Sequence, residues 1–258
     1  LFNGAVRNSE NQQIAELLRR KAKVLVALGS CAHLGGIPGL ANEASRDEIF
    51  HRAYLQNPSL EEGNVAMPVT EKQVDAGTLQ IPYFYRAVHR LSDVVAVDYF
   101  VPGCPPAPAQ IKAVLLAVVK GELPPPGAVV GASDRALCDE CQRVKEEKKV
   151  ERFRRPWQVI QDPDKCLLEQ GIVCAGSVTR AGCGVRCPDS GMPCRGCYGP
   201  PPNVKDQGAK LVSAVGSVVA SRDADEIDRV LGEIPDIMGY AYRFGLPAST
   251  LQRSRRSL

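Results

Sequence analysis

Lys23-Val24-Leu25-Val26-Ala27-Leu28-Gly29, continuing into Ser30-Cys31-Ala32, decides the fold of the front half of this chain. It is a short, nearly continuous apolar run closed by glycine, the pattern of a strand buried on both faces of a parallel sheet. A second such run, Asp93-Val94-Val95-Ala96-Val97-Asp98, leads to Val101-Pro102-Gly103-Cys104-Pro105-Pro106 and then to an apolar helix at about 109–120. Each run therefore delivers one cysteine just past its carboxyl end. Open parallel α/β sheets bind ligands in the crevice outside those ends, so Cys31 and Cys104 are candidates for one shared site.

Working outward, Asn8 is placed to cap a helix over 9–21, with Ile14, Leu17, Leu18 and Ala22 at helical spacing. Residues 1 to about 122 thus read as an α/β unit. The stretch 56–82 has few periodic apolar positions and reads as a long surface insertion. Pro124-Pro125-Pro126-Gly127 breaks any helix or central strand, which divides the chain into a 1–126 unit and a 127–258 unit. From Cys138 to Pro202 the sequence is rich in Cys, Gly and Pro and poor in apolar residues, so metal ligation is expected to supply folding energy there. The tail holds helix-compatible segments at 206–220 and 224–231 and ends in a basic stretch, Arg253-Ser254-Arg255-Arg256.

Eight of the ten cysteines lie between positions 138 and 197, and they divide into four and four. Cys138-Asp139-Glu140-Cys141 is followed by single cysteines at Cys166 and Cys174. Cys183 and Cys187 are followed by Cys194-Arg195-Gly196-Cys197. A [4Fe-4S] cluster takes four thiolates, and a CxxC pair lets one turn reach two irons while neighbouring glycines let the backbone fold close to the sulfides. Gly171, Gly176, Gly182, Gly184, Gly191, Gly196 and Gly199 are spaced for that. Two tetrahedral zinc sites are the rival reading. Zinc ribbons pair two CxxC knuckles, whereas Cys166 and Cys174 stand alone, so two iron-sulfur clusters are preferred. Clustering in one third of the chain argues against disulfides and favours a reducing compartment, most simply the cytoplasm. His33, two residues after Cys31, is either a cluster ligand or hydrogen-bond donor or a loop histidine without special role. Arg180, Arg186 and Arg195 stand beside candidate ligands, as potential-raising charges or as solvated surface charges. His51 and His89 carry no assignment.

Composition narrows the function further. Hydrophobic residues at 44% and charged residues at 24% suit a folded globular chain, and no apolar run reaches the roughly 20 residues of a membrane span. A formal charge of +3 and 5% aromatic residues provide neither the field nor the stacking platforms of a nucleic-acid binder. No nucleophile, acid-base pair or nickel site is recognisable.

Together Gly29-Ser30-Cys31-Ala32, Gly35-Gly36-Ile37-Pro38-Gly39, Val101-Pro102-Gly103-Cys104-Pro105-Pro106, Cys166-Leu167-Leu168-Glu169-Gln170-Gly171 and Gly191-Met192-Pro193-Cys194-Arg195-Gly196-Cys197 resemble the small, electron-transferring subunits of [NiFe] hydrogenases. Within that family the resemblance is to the cytoplasmic methyl-viologen-reducing hydrogenases of methanogens, which work with heterodisulfide reductase. It implies a flavodoxin-like, doubly wound parallel-sheet domain followed by an irregular iron-sulfur domain. It implies that Cys31 and Cys104 ligate a proximal cluster, that Cys138, Cys141, Cys166 and Cys174 form the distal set, and that Cys183, Cys187, Cys194 and Cys197 form the medial set. The implied partners are a Ni-Fe large subunit and an iron-sulfur or flavin acceptor subunit of heterodisulfide reductase type.

The family's other two proximal ligands come from a CxxC after its first strand, which this sequence lacks. Leu1-Phe2-Asn3-Gly4-Ala5-Val6 resembles the end of the family's second strand, without an initiator Met, as though about fifty residues were absent in front, since a βαβ unit takes about 30 or more. The chain is then a fragment or split subunit, or another polypeptide completes the proximal centre, or that centre is lost. A hydrogenase-like adaptor in a nickel-free electron-bifurcating or respiratory-type complex, and a zinc-stabilised interaction module, are the alternative functions.

Overall fold

The structure is a computed structural model that describes residues 1–61, 63, 66–146 and 149–251. The basic stretch Arg253-Ser254-Arg255-Arg256 lies outside the described residues. β1 (Phe2–Asn3) and β2 (Val6–Asn8) precede α1 (Ser9–Lys21), which Asn8 caps by accepting the Asn11 N–H at 2.8 Å. β3 (Val26–Leu28) runs straight into α2 (Gly29–Leu34), and α3 (Arg46–Tyr54) starts from a capping box between Ser45 and Glu48. β4 (Glu71–Val74) and β5 (Gly77–Gln80) form an antiparallel hairpin within the 56–82 stretch. β6 (Phe84–His89) returns antiparallel to β2, and β7 (Tyr99–Val101) leads to α4 (Pro108–Lys120).

β3 is the middle of a parallel sheet ordered β1-β3-β7, with Phe2 opposite Ala27 and Ala27 opposite Phe100. Leu25, Val26 and Ala27 are buried, as a strand covered on both faces must be, and each of the two larger side chains contributes about 1.5–3 kcal/mol by leaving water. Beyond β7, Val130 donates to the Phe100 carbonyl at 2.8 Å and Phe100 donates to Ala128 at 3.1 Å. Residues 128–130 therefore run alongside the sheet.

Two sequence expectations need correcting. The apolar run 93–98 is not the strand; Leu91–Asp93 is a 3-10 turn, and pairing with β3 begins at Tyr99. The Asp98 carboxylate accepts the Leu25 N–H and an Arg19 N–H, each at 2.6 Å, and so fixes the strand's entry, while Val94, Val95 and Val97 fill the layer under α1. In α1 the buried residue is Ala15, with Leu18 packed beside it, whereas Ile14 and Leu17 stay nearly half exposed.

The irregular, Cys-rich loops of the back half, poor in apolar residues themselves, share an apolar core with the tail, which brings the missing side chains. After α5 (Arg186–Asp189) come α6 (Gln207–Ser217), α7 (Ala224–Gly232) and α8 (Ile237–Ala241). Leu211, Val215, Val230, Tyr240 and Leu246 from this region pack with Leu137, Phe153, Val173 and Val178 from the loops in one buried cluster. Buried bonds join the halves: Ser30 Oγ donates to the Cys197 carbonyl at 2.6 Å, and the Tyr198 hydroxyl donates to Gln110 Oε1 at 2.7 Å. Among the described residues no helix is long and apolar enough to cross a membrane.

Candidate metal centres

All ten cysteines are free thiols. Cys138, Cys141, Cys166 and Cys174 are electrostatic neighbours of one another. A 3-10 turn over Leu137–Asp139 carries the first, and Cys141 N–H donates to Leu137 at 3.0 Å, so the CxxC folds as a single turn. Cys166 N–H is held by the Val144 carbonyl at 2.8 Å. Burial pushes the Cys138 thiol up to about 12, with the Cys174, Cys166 and Cys141 sulfurs adding to the rise and Lys145 opposing it. Burial likewise takes Cys174 to about 11, against the pull of the Gly176 and Cys194 N–H groups. A Cβ at Gly176 would stand 3.1 Å from Cys138 Sγ and 3.7 Å from Cys174 Sγ, so this glycine lets the backbone lie against two thiols.

Cys183, Cys187 and Cys197 form the second neighbourhood. Val185 takes φ 51°, a left-handed conformation unusual for a β-branched residue, and thereby turns the chain into α5, which carries Cys187. Burial raises Cys187, and Cys183 adds to it while Arg195 opposes. Burial and then the Cys183 sulfur raise Cys197 to about 12, against a hydrogen bond from the Cys104 N–H. Cys194 belongs to neither group alone. It is buried, its thiol is held well above the usual range by burial and then by Cys174, and it also faces Cys197.

Cys31 and Cys104 meet at the carboxyl ends of β3 and β7, where burial and then Cys104 raise the Cys31 thiol. Gly36, at φ +62°, passes so close that a Cβ would stand 2.5 Å from Cys31 Sγ. Cys104 is exposed. The three neighbourhoods are stitched in series by backbone donors: Cys104 N–H to Cys197 Sγ, and Cys194 N–H to Cys174 Sγ at 3.3 Å.

This donor set fits iron-sulfur centres. Desolvation and neighbouring sulfurs raise Cys138, Cys174, Cys194 and Cys197, whereas a cationic metal core would deprotonate such ligands outright. Among the described residues no three His, Cys, Asp or Glu side chains close on a single-ion site.

Of the other predicted residues, His33 sits on α2 with its ring against Phe100 at 4.8 Å. Burial, Arg180 and Arg90 push it down to about 3, and its buried Nδ1 has no hydrogen-bond partner among the described residues. Arg180 is paired with Asp134. Thr179 is a residue the sequence did not single out. Its hydroxyl donates to the Ala175 carbonyl at 2.6 Å and accepts from Gln207 Nε2 at 3.0 Å, and Gln207 also donates to the Gly196 carbonyl at 3.2 Å. Buried Thr179 and half-buried Gln207 together tie the Cys174 segment to the Cys194–Cys197 loop. No sequence pattern joins Thr179 to Gln207, because they meet only in three dimensions.

Residues 1–118 match the family described as NADH ubiquinone oxidoreductase, 20 Kd subunit. Over 98% of its length the chain is 37% identical to the iron-sulfur subunit of the F420-non-reducing hydrogenase of Archaeoglobus profundus, covering 79% of that protein. It is 34% identical, over 99% of its length, to a subunit of the vhu-type F420-non-reducing hydrogenase of Methanocaldococcus jannaschii, covering 80% of it. A 28% identity over 78% of the chain and 65% of the relative links it to the delta polypeptide of sulfhydrogenase 2 from Pyrococcus furiosus. Among solved structures, an NAD+-reducing [NiFe]-hydrogenase in its H2-reduced state aligns with 47% of the chain and 63% of its own, at 30% identity and a TM-score of 0.41.

Proposed function

The chain belongs to the family of iron-sulfur subunits of the F420-non-reducing hydrogenases, and on that premise we propose that it carries single electrons between a Ni-Fe large subunit and an acceptor subunit of iron-sulfur or flavin type. The observation that carries the reading is the serial arrangement of the thiols, with each neighbourhood joined to the next by a cysteine N–H on a cysteine sulfur. Cys138, Cys141, Cys166 and Cys174 hold one [4Fe-4S] cluster, and Cys183, Cys187, Cys194 and Cys197 hold another. Cys31 and Cys104 supply half of a third, proximal set. When bound, such clusters accept and release one electron at a time, at potentials tuned by sulfur hydrogen bonds and burial.

The chain's own residues do the positioning. Residues 1–126 act as a flavodoxin-like, doubly wound frame for Cys31 and Cys104, and residues 127–258 act as an iron-sulfur domain braced by the tail helices. The protein works in the cytoplasm, where its thiols stay reduced. Anaerobic isolation of the heteromeric complex, followed by iron, sulfide, nickel and zinc analysis and by hydrogen-dependent viologen reduction, tests this. Zinc without iron in this chain, or cystines where ligands are assigned, would sink it.

A further inference from the structure

Tyr240 gathers guanidinium groups that lack matching carboxylates. Arg155 donates to its hydroxyl and lies over its ring, 5.0 Å from the centroid, while Arg195 lies over the same ring at 5.5 Å. Arg243, three residues on, has its pKa lowered by burial and then by Arg195. Among the described residues none of these three arginines forms an ion pair within 4.0 Å. Asp236 does face Arg243, but one of its oxygens is occupied in capping α8 through the Gly239 N–H at 2.8 Å. Like charges held half-buried repel, and an outside anion would relieve them.

The surface beside them is apolar. Trp157, 5.7 Å from Arg155, is 75% exposed and Ile160 is 99% exposed. Gln161 Oε1 lies 3.5 Å from the position of a Gly191 Cβ, which brings this segment against the turn that exposes Met192. Trp and Arg are the residue types that dominate protein-protein hot spots, and a crown of Trp, Ile and Met spreads wider than a small anion needs.

We propose that this patch docks a soluble, acidic iron-sulfur carrier protein of ferredoxin type, which presents carboxylates to Arg155, Arg195 and Arg243 and an apolar recess to Trp157 and Ile160. The proposal rests on the electron-transfer reading. It places the partner against Arg195, which lies inside the Cys194–Cys197 loop, so a docked partner meets the chain one residue from an assigned ligand.

The test uses the purified hydrogenase complex with two probes, an acidic ferredoxin as protein acceptor and methyl viologen as an acceptor that needs no docking. In the Arg155→Glu/Arg243→Glu variant, and separately in Trp157→Ala, the KM for ferredoxin rises at least tenfold at low ionic strength and the charge-reversal variant loses its salt dependence. Iron content and viologen reduction stay unchanged. An unchanged ferredoxin KM in both variants, or failure of the unmodified complex to reduce ferredoxin, overturns the docking surface. Loss of the nickel subunit from the variants also overturns it, by giving the patch to that subunit. No viologen reduction by the unmodified complex defeats the relay reading itself, and the docking proposal with it.

Discussion

The backbone N–H of Cys194 donates to the Sγ of Cys174 across 3.3 Å, and the Cys194 carbonyl accepts the Ala175 N–H at 2.9 Å. Segments about twenty residues apart are thus tied by one backbone–sulfur bond and one backbone–backbone bond, and a ligand assigned to one centre touches a ligand assigned to the other. A hydrogen bond to a ligand sulfur stabilises the reduced, more negative cluster.

Cys194→Ala removes a thiolate but keeps this N–H. One reduced-state EPR signal of the complex should disappear, with iron falling by about four per chain, the content of one cluster. The signal of the centre held by Cys138, Cys141, Cys166 and Cys174 should keep its midpoint potential. An unchanged iron count contradicts the assignment.

Thr179→Val removes the hydroxyl from the Ala175 carbonyl, which keeps the Val178 N–H at 3.2 Å, and leaves Gln207 Nε2 with the Gly196 carbonyl alone. The expected cost is about 0.5–1.5 kcal/mol in denaturant unfolding. Thr179→Ser, which keeps the hydroxyl, restores most of it. Equal losses in both variants would show that the methyl group matters there as much as the hydroxyl, and no loss in Thr179→Val would remove the hydroxyl's role.

Gly36→Ala forces a side chain into a left-handed conformation and against Cys31 Sγ. Destabilisation of about 1–3 kcal/mol is expected, read as a Tm lowered by about 2–4 °C for each kcal/mol. Gly184→Ala provides the control, since its φ is also positive (+72°) but nothing lies within 4 Å of its Cβ position. Matching losses at the two sites would leave backbone strain alone as the cause.

The iron-free chain should lose stability in alkali. Folding holds Cys138 and Cys174 protonated, at about 12 and 11 against an ordinary thiol value near 9. That contribution is complete below pH 9, where the unfolded thiols are protonated too, and fades as pH climbs through 9 towards 11–12. Urea midpoints at pH 8 and pH 10.5 measure it, with the lower one expected at pH 10.5. Cys138→Ser/Cys174→Ser should flatten the difference; a slope untouched by that double change assigns it to other groups.

The apolar run 23–29, the cap at Asn8, the Pro-Gly stop after residue 123 and the eight clustered thiols all speak through neighbours in sequence, and so were legible there. Strand pairing, helix capping and ligand chemistry depend on residue type and short spacing. What the sequence misplaced, it misplaced by a few residues or by one partner. β7 starts at Tyr99 because Asp98 is held by Arg19 and Leu25, almost eighty and more than seventy residues away.

By itself, then, the sequence determined the clustering of the thiols, the parallel sheet and the points at which Cys31 and Cys104 leave it. Only the tertiary structure decided which thiols are neighbours, that α6 to α8 supply the core of the cysteine-rich loops, and that Arg155, Arg195 and Arg243 converge on Tyr240. The physical reason is range. A local pattern fixes what a residue can do, while burial and charge act through space between segments whose separation along the chain carries no signature of their meeting.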